Sequence, residues 1–373
     1  MDFLVFFLVI LLAFANGAND VSKSIATLVG SGVTNYRTAL AWGTVWTVLG
    51  AGASALVAGA LVRTFSQDLI HAGEELPYAM APAVLLAAVA WVLFASRTGL
   101  PVSTTHALTG GLVGVGWMAY GAGGLMWHTL AAKVALPLLL SPLCAFMTTI
   151  VLHPCIRMLT TQWDGACLCV MPASRALVAV DATGATRTLF QASGVGYPVV
   201  NVPTHCDRAG LRGVVIGLDS LHWISSGLAS FARGTNDAPK ILAMLVLGGI
   251  TIWWPGGQTV AYIAVAVAMG LGSYAGGRRV TEMLAERVTR LSHAEGLSAN
   301  LTTSSLVLLS GMLGWPVSTT HVSSSSIIGI GLVKGTASVR WGSVRDMALA
   351  WIATLPFTAV LSAVAYRGLS LLR

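Results

Sequence analysis

The 373-residue chain is poor in charge. Only 9% of its residues are Asp, Glu, Lys or Arg, against about a quarter in soluble domains, and that scarcity excludes a water-soluble enzyme. Cysteine is scarce too. The five (Cys144, Cys155, Cys167, Cys169, Cys206) are odd in number and gather mostly in one polar stretch, which excludes a secreted disulfide framework. Cys167-x-Cys169 with His205-Cys206 matches no familiar zinc spacing, and no nucleophile elbow or P-loop occurs, so neither an enzyme nor a cofactor is expected.

What is present is apolar. Hydrophobic residues make up 55% of the chain and the mean hydropathy is +0.77. Forty-one glycines and 13 prolines lie within the apolar stretches as well as between them, as in packed and broken transmembrane helices. The net charge of +7 is spread along the loops, which points to a positive-inside bias and away from nucleic acid. The apolar run from Phe3 ends in Ala13-Phe14-Ala15, which looks like a signal-peptidase site. However, Asp2 stands where a basic region belongs, so the run reads as a retained span.

The chain is written twice. Residues 16–34 (NGANDVSKSIATLVGSGVT) return as 233–251 (RGTNDAPKILAMLVLGGIT), and GLPVSTTH at 99–106 returns as GWPVSTTH at 314–321. Two repeats are expected, 1–152 and 213–373, flanking an insertion at 153–212 that lacks an apolar stretch of spanning length. Its β-prone runs (176–180, 186–190, 198–202), separated by turn residues, predict a small β-meander. Each half reads as five crossings: an interrupted segment (1–33; 213–250), a plain span (38–62; 257–275), two segments meeting at VSTTH (79–120; 297–333) and a final span (128–152; 346–366). Whether the VSTTH pairs are hairpins or full spans leaves the parity unchanged. An odd number inverts the second half, as in many secondary transporters. The fold class expected is therefore an all-α polytopic membrane protein of two inverted repeats.

Loop charge gives an independent test of inversion. Segment 63–77 has Arg63 against Asp68, Glu74 and Glu75, whereas its counterpart 276–295 has Arg278, Arg279, Arg287 and Arg290 and reads as an amphipathic surface helix. Setting the basic loop inside places the insertion in the cytoplasm and both termini outside a plasma (inner) membrane.

Asn19-Asp20 and Asn236-Asp237 fall in mid-segment, each after a glycine (Gly17, Gly234) that can open a helix. Asn and Asp are good N-caps and Pro239 suits a first helical turn, so a half-helix starting near Asn236 is expected. An acid at membrane depth is a functional-site candidate by default. Ser103, Thr104, Thr105 and Ser318, Thr319, Thr320 stand where half-helices should begin. A helix N-terminus offers free N–H groups to an oxyanion, and hydroxyls add donors or ligate a small cation. Two such ends facing each other would enclose a tetrahedral anion.

GANDVSKSIATLVGSG, GTNDAPK and the two PVSTTH tips together resemble the PiT family of inorganic phosphate transporters, across both repeats but not the insertion. The resemblance implies cation-driven phosphate uptake at a midplane site. It implies that Asp20, Asp237, Asn19 and Asn236 serve the coupling ion, the two acids as ligands if it is Na⁺, and that the six hydroxyl residues hold phosphate. Some relatives move sulfate, and a sulfate or related oxyanion permease stays open, as does an anion channel. At about 5 Å and an effective dielectric of about 20, a carboxylate repels each unit of anionic charge by about 3 kcal/mol. A cation, H⁺ or Na⁺, must therefore accompany the anion. The expected partners are phosphate and membrane lipid, and a homodimer is compatible with the sequence.

The chain departs from that signature in carrying Lys23 and Lys240 where Asn is usual. Each lies three residues after its acid and so on the same helix face. An ammonium there could replace one Na⁺, contact phosphate, or neutralise its acid in the empty site; the symmetric replacement points to the first, with fewer Na⁺ carried and proton coupling favoured. His106 and His321 are open between proton carriage and helix packing. Arg233 stands where the first repeat has Asn16 and adds a guanidinium beside the acidic motif.

Overall fold

The computed structural model describes residues 2–56, 59–70, 77–161, 167–180, 186–201, 217–250 and 257–372. They fall into two compact units, Met1–Cys155 with His222–Arg373, and Ile156–Leu221. The first unit is helical. Its main helices are α1 (Asp2–Asp20), α2 (Ser22–Gly30), α3 (Tyr36–Ala53), α4 (Met80–Thr98), α5 (Thr104–Tyr120), α6 (Leu136–Thr161), α7 (Leu218–Leu247), α8 (Gly257–Ala275), α9 (Arg278–Glu286), α10 (His293–Met312), α11 (Thr319–Val333) and α12 (Trp341–Ser370).

Among the described residues six helical stretches are long and apolar enough to cross a membrane: Asp2–Gly30, Tyr36–Leu56, Met80–Thr98, Trp127–Thr160, Gly257–Ala275 and Trp341–Ser370. The chain is thus a multi-pass membrane protein. The 30-residue α7 is not one of the six, because it carries Arg233, Asn236, Asp237 and Lys240 in its middle, all of them buried. Local chemistry sets several helix ends. Asn35 caps α3 by accepting from the Thr38 amide at 3.0 Å, and Gly99 ends α4 at φ +81°, a left-handed conformation that favours glycine. The Glu295 carboxylate accepts from the Ser292 amide at 2.8 Å where α10 begins. The basic segment is helical over Arg278–Glu286, with Val280, Thr281, Leu284 and Ala285 buried.

The helix interruptions differ from the expectation. α1 and α2 are separated by Val21 alone, one residue past Asp20, and α7 runs unbroken through Asn236 with Pro239 inside it. No half-helix begins near Asn236. The glycines serve another purpose. A Cβ on Gly17 would lie 2.1 Å from the Met269 carbonyl oxygen, and one on Gly234 would lie 2.5 Å from that of Thr47. They let α1 approach α8 and α7 approach α3 at backbone distance, the role small residues take where lipid supplies no hydrophobic drive. The backbone need not open, because the polar side chains of both motifs find partners on neighbouring segments.

The second unit contains an antiparallel hairpin of β1 (Cys167–Val180) and β2 (Thr186–Asn201), in register from Val180 opposite Thr186 to Cys167 opposite Asn201. Two strands replace the expected three-run meander. The second and third runs are joined in β2, and Gly194-Val195 is accommodated as a bulge where the pairing jumps from Ala173–Ser193 to Pro172–Gly196. Val202, His205 and Cys206 lie outside the described residues.

Candidate functional site

Both acidic motifs and both VSTTH tips meet at one buried place. Each tip is extended backbone that turns into a helix at its first threonine. Ser103 is the N-cap of α5, accepting from the His106 amide at 3.2 Å, and Ser318 is the N-cap of α11, accepting from the His321 amide at 3.2 Å. The serine oxygens are therefore occupied as caps. The tips also brace each other. Thr105 donates to the Val317 carbonyl at 3.3 Å and Thr320 donates to the Val102 carbonyl at 2.7 Å, a reciprocal exchange between the two copies.

The acidic motifs hold those tips from the side. The Asn19 amide donates to Ser96 Oγ (3.2 Å) and the Leu100 carbonyl (3.1 Å), and its oxygen accepts from the Val102 amide (3.3 Å). Asn236 donates to Asp237 Oδ1 (3.0 Å) and the Val317 carbonyl (3.3 Å). Neither asparagine caps its own helix. They give the extended tips the backbone partners that non-helical chain requires when buried.

Asp20 and Asp237 come together through Asn16. Its Nδ2 donates to Asp20 Oδ2 at 3.2 Å, to Asp237 Oδ2 at 3.3 Å and to Thr104 Oγ1 at 2.9 Å. Thr319 donates to Asp20 Oδ2 at 3.4 Å. Both lysines pair with the acid one turn back: Lys23 with Asp20, and Lys240 with Asp237 at 3.6 Å. Lys23 also donates to the Val102 carbonyl (3.1 Å), and Lys240 to the Val317 carbonyl and Thr105 Oγ1 (2.9 Å each). Each lysine is thus ion-paired with the acid of its own motif.

Arg233 completes the cluster. It is 2% exposed, and its Nη2 donates to Thr47 and to Ser273 (3.4 Å for the latter). Three cations thus surround two carboxylates, leaving one positive charge over. His106 and His321 stack at 4.5 Å between ring centroids, and His321 stacks on Trp351 at 4.2 Å. Trp351 Nε1 in turn donates to the Pro101 carbonyl at 3.0 Å.

The model of the phosphate transporter family matches residues 16–362. This chain belongs to that family. A "Probable low-affinity inorganic phosphate transporter" of Mycobacterium leprae is 28% identical over 358 residues, covering 95% of this chain and 74% of the relative. A Bacillus subtilis protein of the same name is 27% identical over 363 residues, covering 95% and 92%. The solved structure described as "The sodium-dependent phosphate transporter" is 22% identical and superposes with a TM-score of 0.78 over 100% of this chain and 99% of that one, a likeness of fold.

Every site residue expected from this family member's sequence is in the cluster. Asn16 was missed, although it stands four residues before Asp20 and so on the same helix face. Thr47, Ser96, Ser273 and Trp351 come from remote segments, and nothing in their local sequence marks them.

Proposed function

We propose that this chain is a secondary active transporter that imports inorganic phosphate by symport with H⁺ or Na⁺, at a midplane site between two inverted repeats. The observation that carries the reading is the convergence of both acidic motifs and both hydroxyl tips on one buried cluster, with each tip held by a threonine of the other. Ser103, Thr104, Thr105, Ser318, Thr319 and Thr320 bind the anion, joined by Lys23 and Lys240, while Asp20, Asp237, Asn19 and Asn236 serve the coupling ion. The lysines act as tethered cations, so fewer ions need accompany each phosphate. The termini face outward and the insertion faces the cytoplasm, in line with the basic loops.

The test is labelled phosphate uptake into proteoliposomes under separately imposed Na⁺ and H⁺ gradients, with excess sulfate as competitor. The reading expects accumulation against the phosphate gradient that collapses when the driving gradient is removed. Downhill flux alone indicates a channel, and equal competition by sulfate indicates a broader oxyanion permease.

A further inference from the structure

Arg233 is a buried cation with no anion of its own. Among the described residues it forms no ion pair, since Asp20 and Asp237 are taken by Lys23 and Lys240. Its contacts are two neutral hydroxyls, and Nε and Nη1 have no hydrogen-bond partner. Three of the five N–H donors of the guanidinium are therefore unused. Of the described groups, only the carboxylates of Asp20 and Asp237, each already paired with its own lysine, act favourably on its charge, and they do so without direct contact.

The place where one could arrive is beside it. A small cavity of about 10 Å³ is lined by Lys23, Ser24, Arg233, Thr303 and Thr319 together with the apolar Ala229 and Val307, room for about one water. Lys23 spends one proton on Asp20 and one on the Val102 carbonyl, leaving one of its three free. Lys240 donates to Thr105 and the Val317 carbonyl and faces Asp237 at 3.6 Å as an ion pair, and it does not line the cavity. Of the two lysines only Lys23 shares this cavity with Arg233.

We propose that Arg233 and Lys23 together form the anion seat, with phosphate entering this cavity as it widens and taking the free N–H groups of both. The anion then sits to one side of the cluster, between Lys23 of the first repeat and Arg233 of the second. The inference rests on the phosphate-transport reading and adds a residue and a position to it.

The test compares wild type, Arg233→Gln and Arg233→Lys in phosphate uptake and in thermal unfolding of purified protein with and without inorganic phosphate. Arg233→Gln is expected to raise the phosphate KM at least tenfold while the maximal rate changes much less, and to lose stabilisation by phosphate. Arg233→Lys should recover most of the affinity. An unchanged KM in Arg233→Gln, or a fall in phosphate-free stability with affinity intact, overturns the proposal. Should Arg233→Gln fail to fold, Ala229→Val fills the same cavity, and an unchanged KM there overturns it equally. If wild type is stabilised by phosphate and Arg233→Gln is not, yet wild type accumulates none under either gradient, the transport reading fails and the seat stands. If wild type accumulates phosphate and Arg233→Gln does so at the same KM, the seat fails and the transport reading stands.

Discussion

Replacing Lys23 by Asn removes an ammonium that is 3% exposed and pairs with Asp20. The carboxylate then keeps only Asn16 at 3.2 Å and Thr319 at 3.4 Å, both neutral and both long. Breaking a buried pair by deleting one partner costs about 3–5 kcal/mol. The sister pair gives the same size independently: at its 3.6 Å separation and an effective dielectric of about 20, Coulomb's law yields about 5 kcal/mol. A mobile cation can relieve that cost by entering the vacated place. If sodium does so, the variant should gain about 2.7 kcal/mol of stability at a concentration one hundred times its dissociation constant, whereas wild type gains little there. Uptake should also depend on one more monovalent cation per phosphate than in wild type, sodium or proton, as read from separately imposed gradients. The assays are thermal unfolding in sodium against choline and uptake in proteoliposomes. A variant with wild-type stability in both salts and wild-type cation order would refute the view that Lys23 acts as a tethered ion.

Three further outcomes follow from the geometry. Asp20→Asn with Asp237→Asn leaves three cations and no carboxylate in the cluster, so gradient-driven accumulation should be lost while phosphate binding, measured on purified protein, persists; accumulation at the wild-type level speaks against coupling through these acids. Gly17→Ala places a methyl group 2.1 Å from the Met269 carbonyl and should cost about 1–3 kcal/mol in detergent unfolding, whereas Gly52→Ala, with nothing within 4 Å, should not; equal effects would show that backbone contact is not the reason for Gly17. Thr105→Val and Thr320→Val each remove one tip-to-tip bond, costing about 0.5–1.5 kcal/mol for Thr320→Val and more for Thr105→Val, which also takes an acceptor from Lys240, and a double-mutant cycle on unfolding should reveal coupling between them, because the two bonds close one ring.

Much of the site was legible because the sequence carries it in duplicate. A single PVSTTH reads as an ordinary capped helix start, and the structure does use Ser103 and Ser318 as caps. Only the second copy signals that two such starts face each other. The acids stood out because a carboxylate within a run as apolar as Phe3–Ala15 needs a reason. Less legible was what glycine does beside them. Gly17 and Gly234 have the same local sequence whether they open a helix or admit a neighbouring backbone, and the choice lies with Met269 and Thr47, more than two hundred residues and nearly two hundred residues away respectively along the chain. Pro239 misled for a related reason. A proline that suits a first turn also sits inside α7, where polar neighbours and packing outweigh its missing amide. The strand reading of the insertion identified β-prone runs but split one strand in two, since Gly194-Val195-Gly196 looks alike as a turn and as a bulge.

The duplication also conceals a difference between the halves, and that difference bears on mechanism. In the first copy the residue ahead of the acidic motif is Asn16, whose amide holds both carboxylates at once. In the second copy the same place is Arg233, which holds neither. Lys240 donates to Thr105 of the other copy's tip and to the Val317 carbonyl, while Lys23 donates to the Val102 carbonyl and lines the cavity beside Arg233. A two-fold arrangement of backbone is therefore loaded with unequal chemistry: one lysine locks its acid to the opposite tip, and the other shares its cavity with an unpaired guanidinium.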